Sequence, residues 1–575
     1  MKRLSFSKLK YVLLFSLFFL LTSCSAPQSD DEAFRDFTGQ LFCQEVSAST
    51  ISLHYTLQEP SAYGLTDSPV TYGSFPTDPA AAYISVENYL TALHKFESAD
   101  LSDENRLTYD ILDSYLETIS DGAGYLMYQE PLSPLTGTHA QLPVLLSEYP
   151  FHNTEDVETY LQLLGKTGEY FDSLITFEQK KSEQGLFMPD YQLQSVIKEC
   201  LSFVEMGDSN YLYSTFEERL SALTELPESE RVCYTERNRE QIQETIFPAY
   251  TRLAEELKKL EGSGTNEKGL CFFPDGTKYY EYIVRRESGI SEPIPTLQQM
   301  TRDQISEDLT AMEKILYPTA SAPSGSSILE TTAPSSMLSD LQNKISGAFP
   351  EIPPVNTSIK YVPSAMEEYL SPAFYMIPAI DNPSENVIYI NQGQTREGLN
   401  LYTTLAHEGY PGHLYQTVYF SSQNADPVRS ILDFGGYVEG WATYAEMMSY
   451  YMAPLSKAEA TLLQKNSSII LGLYALADMG IHYDGWSLTD TVAFFKMYGI
   501  TDVNAIKNIY ELIIGDPGNY LKYYLGYLKF FQLKKEIAGE LKSDFSQIEF
   551  HRAVLDVGPA PFDIVYCNVR ETLLK

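Results

Sequence analysis

Apolar residues recur at three- and four-residue intervals along most of this chain, the period of a helix with one buried face. The pattern runs from about Phe34 to Lys259 and is clear in Val157-Glu-Thr-Tyr-Leu-Gln-Leu-Leu164, with acidic and polar residues filling the other faces. Pro, Gly, Asn and Asp gather at Tyr63–Pro79 and Tyr128–Pro143, which are read as loops. A softer stretch, Gly262–Gly276, is the candidate boundary between an N-terminal lobe and the rest, and Ala320–Ser336 is a second polar, small-residue segment. No internal repeat is evident. Alternating apolar residues are rare. Val387-Ile-Tyr-Ile-Asn391 is the best strand, bounded by Asn382-Pro-Ser384 and Gln392-Gly393. It precedes a predicted helix, Thr395–Ala406, and helical spacing continues from there to the C-terminus. The expected fold is mainly α with a small β-sheet close to that helix. Two roles stand for the strand: an edge on which substrate backbone pairs, or a structural hairpin strand.

The first 23 residues break the pattern. Lys2, Arg3, Lys8 and Lys10 precede an apolar run, Tyr11–Leu21, too short to span a bilayer comfortably, as in a cleaved export signal. Leu21-Thr-Ser-Cys24 resembles the bacterial lipobox, in which the cysteine is lipidated. The expected organisation is a signal peptide (1–23), a lipidated tether (24–33) and a helical body (34–575), held at the extracytoplasmic face of a bacterial cell membrane. With 40 Lys and Arg against 77 Asp and Glu, the formal charge is −37, which argues against nucleic acid as a partner. Cys43, Cys200, Cys233, Cys271 and Cys567 are scattered without CxxC spacing, so no cysteine metal site is expected.

The chemistry concentrates in His407-Glu408-Gly409-Tyr410-Pro411-Gly412-His413. In HExxH zinc hydrolases the histidines sit at i and i+4 on one helical face, and the glutamate activates water. Here the second histidine comes at i+6, which on a straight helix leaves it about 120° off the face of the first. Pro411 lacks an N–H and Gly412 tolerates unusual dihedrals, so a kink there can return His413 toward His407. Glu439 supplies a downstream carboxylate, and Glu446, seven residues on, shares its helical face. These residues make a candidate Zn2+ site with Glu408 as general base. Asp478 and His482, at i and i+4, are a rival metal pair, a substrate contact, or groups that cap a helix or orient a ligand histidine. Tyr520, Tyr523, Tyr524 and Tyr527 crowd one segment. Arg429, Arg552 and Arg570 are the candidates for holding a peptide C-terminal carboxylate.

The run His407–Gln416, HEGYPGHLYQ, followed by Tyr437-Val-Glu-Gly-Trp-Ala-Thr-Tyr-Ala-Glu446, resembles the bacterial "domain of unknown function 885" family, with its HExxPGHxxQ and EGWAxYAE motifs. Gly276–Tyr280, Asp478–Trp486, Pro517–Gly526 and Phe550–Pro561 extend the match. That family is similar to helical zinc peptidases of the thimet-oligopeptidase and angiotensin-converting-enzyme type. The resemblance implies a large two-lobed helical fold and zinc on His407, His413 and Glu439. It also implies Glu446 behind the ligands and Tyr523 donating to an oxyanion. The chain departs from the family at Asn519 and Tyr524, where Gln and Lys are usual. The expected function is a cell-surface zinc metallopeptidase acting on short peptides. The alternative is a non-catalytic lipoprotein that binds peptides or another solute.

Overall fold

A computed structural model describes residues 29–574, apart from 135, 317–328, 330, 331, 365, 366, 368, 369 and 396. The predicted leader and Cys24 lie outside the described residues. The first helix, Asp30–Ser47, opens on a capping box in which Ser29 and Glu32 satisfy each other's backbone N–H, so the last four residues of the predicted tether are helical. Among the described residues, no helix is long and apolar enough to cross a membrane.

The architecture is mainly α, as the spacing predicts, and the helices bury two separate cores. One is built mostly from residues between Ile51 and Leu257, including Val157, Tyr160, Phe171, Leu174, Phe216 and Leu253, with Val362, Phe374 and Tyr389 added from the sheet region. The other joins the first helix to most of the chain beyond Tyr280, including Leu405, Trp441, Leu476 and Phe530. Gly262–Gly276 carries no α-helix until Gly276–Ser288 begins. The predicted Tyr128–Pro143 loop is shorter than expected, because helix Thr138–Ser147 runs through Pro143. Proline cannot donate to the carbonyl four residues back. The Tyr250 hydroxyl donates to that His139 carbonyl instead, at 2.9 Å.

Three strands, β1 (Asn356–Tyr361), β2 (Ala373–Met376) and β3 (Glu385–Ile390), form one sheet in the order β1-β3-β2. β3 contains the predicted strand, but it is central, parallel to β1 and antiparallel to β2, so the hoped-for edge is β2. Successive strand residues face opposite ways. Tyr375, Ile388 and Ile390 therefore join one core, while Phe374 and Tyr389, stacked at 4.9 Å, join the other. The sheet is the septum between the cores, and helix Leu399–Glu408 packs beside β2. That helix starts later than the predicted Thr395, after Gly398 with φ of 70°.

Candidate metal centre

His407 and Glu408 end one helix, and His413 begins the next, His413–Ser422. The two are separated by a break at Gly409–Gly412 that includes a cis Tyr410–Pro411 bond. The break resolves the 120° mismatch, because the second histidine belongs to a new helix axis. Only glycine fits at 412: a Cβ there would lie 1.8 Å from the His407 carbonyl oxygen and 2.5 Å from that of Ala406. The indole N–H of Trp441 donates to the Pro411 carbonyl at 2.9 Å, tying the break to the helix Gly435–Ser449 that carries Glu439.

The imidazoles of His407 and His413 cross at 82° with centroids 4.8 Å apart. One carboxylate oxygen, Glu439 Oε2, lies 3.6 Å from His407 Nε2 and 3.3 Å from His413 Nε2. Donors about 2.0–2.1 Å from one zinc at tetrahedral angles stand about 3.4 Å apart, which these separations match. All three residues are buried, and neither His407 Nε2 nor Glu439 Oε2 has a hydrogen-bond partner. Buried polar atoms left in this way are uncommon and point to a missing ligand. Glu446 Oε2 sits 3.1 Å from His407 Nδ1; accepting that N–H leaves the Nε2 lone pair for a metal.

Charge leads to the same conclusion. Burial lowers the pKa of His407, but the Glu439 carboxylate 3.6 Å from its Nε2, the hydrogen bond to Glu446 and the charge of Glu408 raise it to about 10. Burial pushes Glu439 up, yet His413 and His407 outweigh it and hold the carboxyl well below its usual range. A pocket of three carboxylates that drives a proton onto a buried histidine is one that attracts a cation. The residues present therefore fit a divalent ion of the zinc class. Glu408 is itself buried, and burial, then the Glu439 charge, lift it to about 7 against the pull of His407. Its Oε2 accepts the Tyr375 backbone N–H at 3.0 Å, which ties β2 to the helix that carries His407.

Helix Asn519–Leu541 brings the tyrosines. Gly440 and Gly526 touch backbone to backbone (a Cβ on Gly440 would lie 2.4 Å from the Gly526 carbonyl carbon), so this helix lies tight against the Glu439 helix. Of the four tyrosines, Tyr523 faces the site, its ring 6.4 Å from that of His407 and its hydroxyl without a hydrogen-bond partner. Tyr520 packs on Tyr474, and Tyr524 and Tyr527 are core residues.

Other candidates are placed elsewhere. His482 does not reach the ligands. Its Nδ1 accepts the Leu270 N–H at 3.1 Å and its Nε2 meets the Ile513 carbonyl at 2.9 Å, so both nitrogens are used by backbone. Asp478 accepts the Tyr280 hydroxyl at 2.6 Å and the Gly518 N–H at 3.0 Å, holding the start of the tyrosine helix. Arg429 donates to the Val557 and Pro559 carbonyls, Arg552 pairs with Glu549, and Arg570 pairs with Glu540. None of the three is available as a clamp. A second triplet, His94, Asp113 and Glu117, lies at the surface, where His94 and Asp113 pair at 2.7 Å. The sequence reading missed Trp441 as an anchor, Tyr375 as a backbone donor and Lys522, whose Nζ is 5.7 Å from the Tyr523 ring. The Glu-Gly-Trp triplet was the available signal for Trp441. Nothing local marked the other two.

Two solved structures share this fold. A candidate lipoprotein from Colwellia psychrerythraea matches at TM-score 0.82 with 18% identity, covering 95% of this chain and 99% of its own. A candidate lipoprotein of unknown function from Shewanella oneidensis matches at 0.60 with 15% identity, covering 96% and 100%. An oligoendopeptidase F from Bacillus anthracis aligns at 12% identity over 85% and 95%, with a TM-score of 0.29, too low to carry an argument. No curated protein matches the chain. Residues 76–569 match the family described as bacterial protein of unknown function (DUF885), and the chain belongs to that family.

Proposed function

We propose that the protein is a zinc-dependent metallopeptidase of the cell surface that hydrolyses short peptides. The observation that carries this is the meeting of His407 Nε2, His413 Nε2 and Glu439 Oε2 beside Glu408, whose carboxylate is held by the Tyr375 N–H of β2. Zinc bound there supplies Lewis acidity, polarising a carbonyl and bringing the pKa of water toward about 7. The protein does the rest. An extended peptide pairs with β2, an edge strand of the sheet. Glu408 accepts the proton of the attacking water and returns it to the leaving amine. Tyr523 donates its uncommitted hydroxyl to the oxygen that gains charge as the carbonyl carbon becomes tetrahedral. Glu446 keeps the His407 ring in the ligating tautomer. Asp478 anchors the helix that presents Tyr523.

The proposal includes lipidation at Cys24 and release of residues 1–23. Six residues, 24–29, then separate the lipid from the first helix, a reach of about 20 Å at full extension, so the body works close to the membrane. Shared fold with two candidate lipoproteins supports this placement.

Metal analysis and one variant test the reading. The purified chain should carry about one zinc, lost in His407→Ala. Glu408→Gln should keep the zinc while peptide turnover falls roughly 10²–10⁴-fold. Wild-type turnover in metal-loaded Glu408→Gln would refute the mechanism. Zinc binding with no cleavage of any peptide would instead favour a non-catalytic, peptide-binding lipoprotein.

A further inference from the structure

Between the two cores lies a cavity of about 180 Å³, walled on one side by Phe75, Leu145 and Met188 and on the other by Ile283, Asp516 and Lys522. Most charged groups on this wall already have partners. Glu130 pairs with Lys181 at 2.6 Å and Glu287 lies 3.8 Å from Arg286. Asp516 accepts from the Thr136 hydroxyl at 3.4 Å, and Lys268 is exposed over the Phe272 ring. Lys522 differs: it is partly buried, opens on the cavity, and makes no ion pair or hydrogen bond with any described residue. An ammonium drawn partly out of water with no carboxylate in direct contact is costly, and an anion arriving from the cavity lowers that cost.

We propose that Lys522 receives the C-terminal carboxylate of the peptide, which makes the enzyme a carboxypeptidase releasing one or two residues at a time. This rests on the metallopeptidase reading above. Distance sets the number of residues. Tyr523 neighbours both groups, its ring centroid 6.4 Å from that of His407 and 5.7 Å from Lys522 Nζ, so the ammonium is at most about 12 Å from the His407 ring. An ammonium–carboxylate contact takes about 3 Å of that span. Each extended residue takes about 3.3–3.6 Å, so one or two fit between the scissile carbonyl and Lys522, while three overrun it. Burial works against the charge on Lys522, but Glu287, Glu439, Asp516 and Asp433 lie near enough to keep it protonated. The reaction is ordinary hydrolysis. Water's hydroxyl forms the new C–O bond at the acyl carbon, the C–N bond breaks, and the proton goes to the leaving nitrogen. The products are a shortened peptide carboxylate and a free amino acid or dipeptide.

The test uses the zinc-loaded full chain and one hexapeptide in three forms: free acid, C-terminal amide and N-acetylated free acid. Products are read by mass spectrometry. The free acid should lose one or two C-terminal residues, with kcat/KM about 10²-fold above the amide, and N-acetylation should change nothing. Lys522→Gln should bring the free acid down to the amide's rate while zinc content stays at one per chain. Arg552→Gln, on the outer surface, should keep the wild-type preference. Should Lys522→Gln fold poorly, Lys522→Met replaces it, and the wild-type acid-to-amide ratio decides in either case. Equal rates for acid and amide, internal cuts, or loss of cleavage on N-acetylation would overturn the carboxylate site and leave the metallopeptidase standing. No cleavage of any form would overturn both.

Discussion

Replacing Gly412 with alanine tests the idea that a backbone break, rather than a helical face, assembles the ligands. The new Cβ would lie 1.8 Å from the His407 carbonyl oxygen and 2.5 Å from the His407 carbonyl carbon. Non-bonded carbon needs more than 3 Å, so backbone must move by about 1 Å, and no flexible side chain is available to give way. The strain falls on both ligands at once, since the obstructing atoms belong to His407 and the next residue is His413. Overpacking of this kind costs about 1–3 kcal/mol of folding stability. Zinc is less tolerant, because its bond lengths hold to about ±0.2 Å, a fifth of the required shift. Zinc affinity should therefore fall by more than the roughly 10–100-fold that a lost outer-shell partner costs. Competition against a chelator gives the affinity, and thermal melting of metal-free protein separates metal loss from unfolding. Gly539→Ala is the control: it lies in the exposed interior of the tyrosine helix with nothing within 4 Å, and should gain about 0.5–1 kcal/mol. If Gly412→Ala folds and binds zinc as the wild type does, the account of the break is wrong.

Three further outcomes are expected. Glu446→Ala removes the acceptor for His407 Nδ1–H and should lower zinc affinity about 10–100-fold with little change in metal-free stability; the same chelator competition checks it. Trp441→Phe loses the N–H to Pro411 and should cost about 1–2 kcal/mol by denaturant melt while also weakening zinc, since the break loses its anchor. His551 gives a pH signature. Burial and the nearby Lys534 charge lower it from 6.5 to about 3, while its ring is held between the Ala348 carbonyl and the Tyr444 hydroxyl. The unfolded chain protonates this histidine below 6.5 and the folded chain does not, so stability from His551 is complete above 6.5 and is lost as pH falls toward 3. The slope is about 1.4 kcal/mol per pH unit. Denaturant melts of wild type and His551→Asn at several pH values should converge between pH 7 and pH 4; parallel curves would count against the buried neutral ring.

What could be read from the sequence was local. Helical spacing announced the helices, and His407, Glu408 and His413 marked a candidate metal site. What could not be read was pairing across distance. Val387–Asn391 kept two roles open, a substrate-pairing edge or a structural hairpin strand, because a strand's neighbours are chosen by segments far away; β1 and β2, each short, flank it and make it central. Pro143 looked like a loop because the hydroxyl that replaces its missing hydrogen bond comes from Tyr250, more than a hundred residues on. Arg429 and His482 looked available because the carbonyls and amide that occupy them belong to remote loops and helices. Lys522 was overlooked for the converse reason. Only the assembled cavity shows a lysine that faces it with no ion pair or hydrogen bond to a described residue.

The Glu439-Gly440-Trp441 triplet shows how a local motif specifies a three-dimensional site. Consecutive residues on a helix point about 100° apart, so three in a row serve three directions. Glu439 faces the histidines, Gly440 meets the backbone of Gly526, and Trp441 reaches the Pro411 carbonyl. The first supplies the carboxylate of the candidate metal site. The second sets the distance to the helix that carries Tyr523. The third holds the break that delivers His413. A ligand placed by one helix against a second helix and a turn needs a contact to each, and the shortest arrangement puts those contacts on its immediate neighbours. A carboxylate moved one position along this helix would keep its charge and lose the geometry, because its direction would then belong to the Gly526 contact. The motif is contiguous because the site is where three elements meet on one turn of helix.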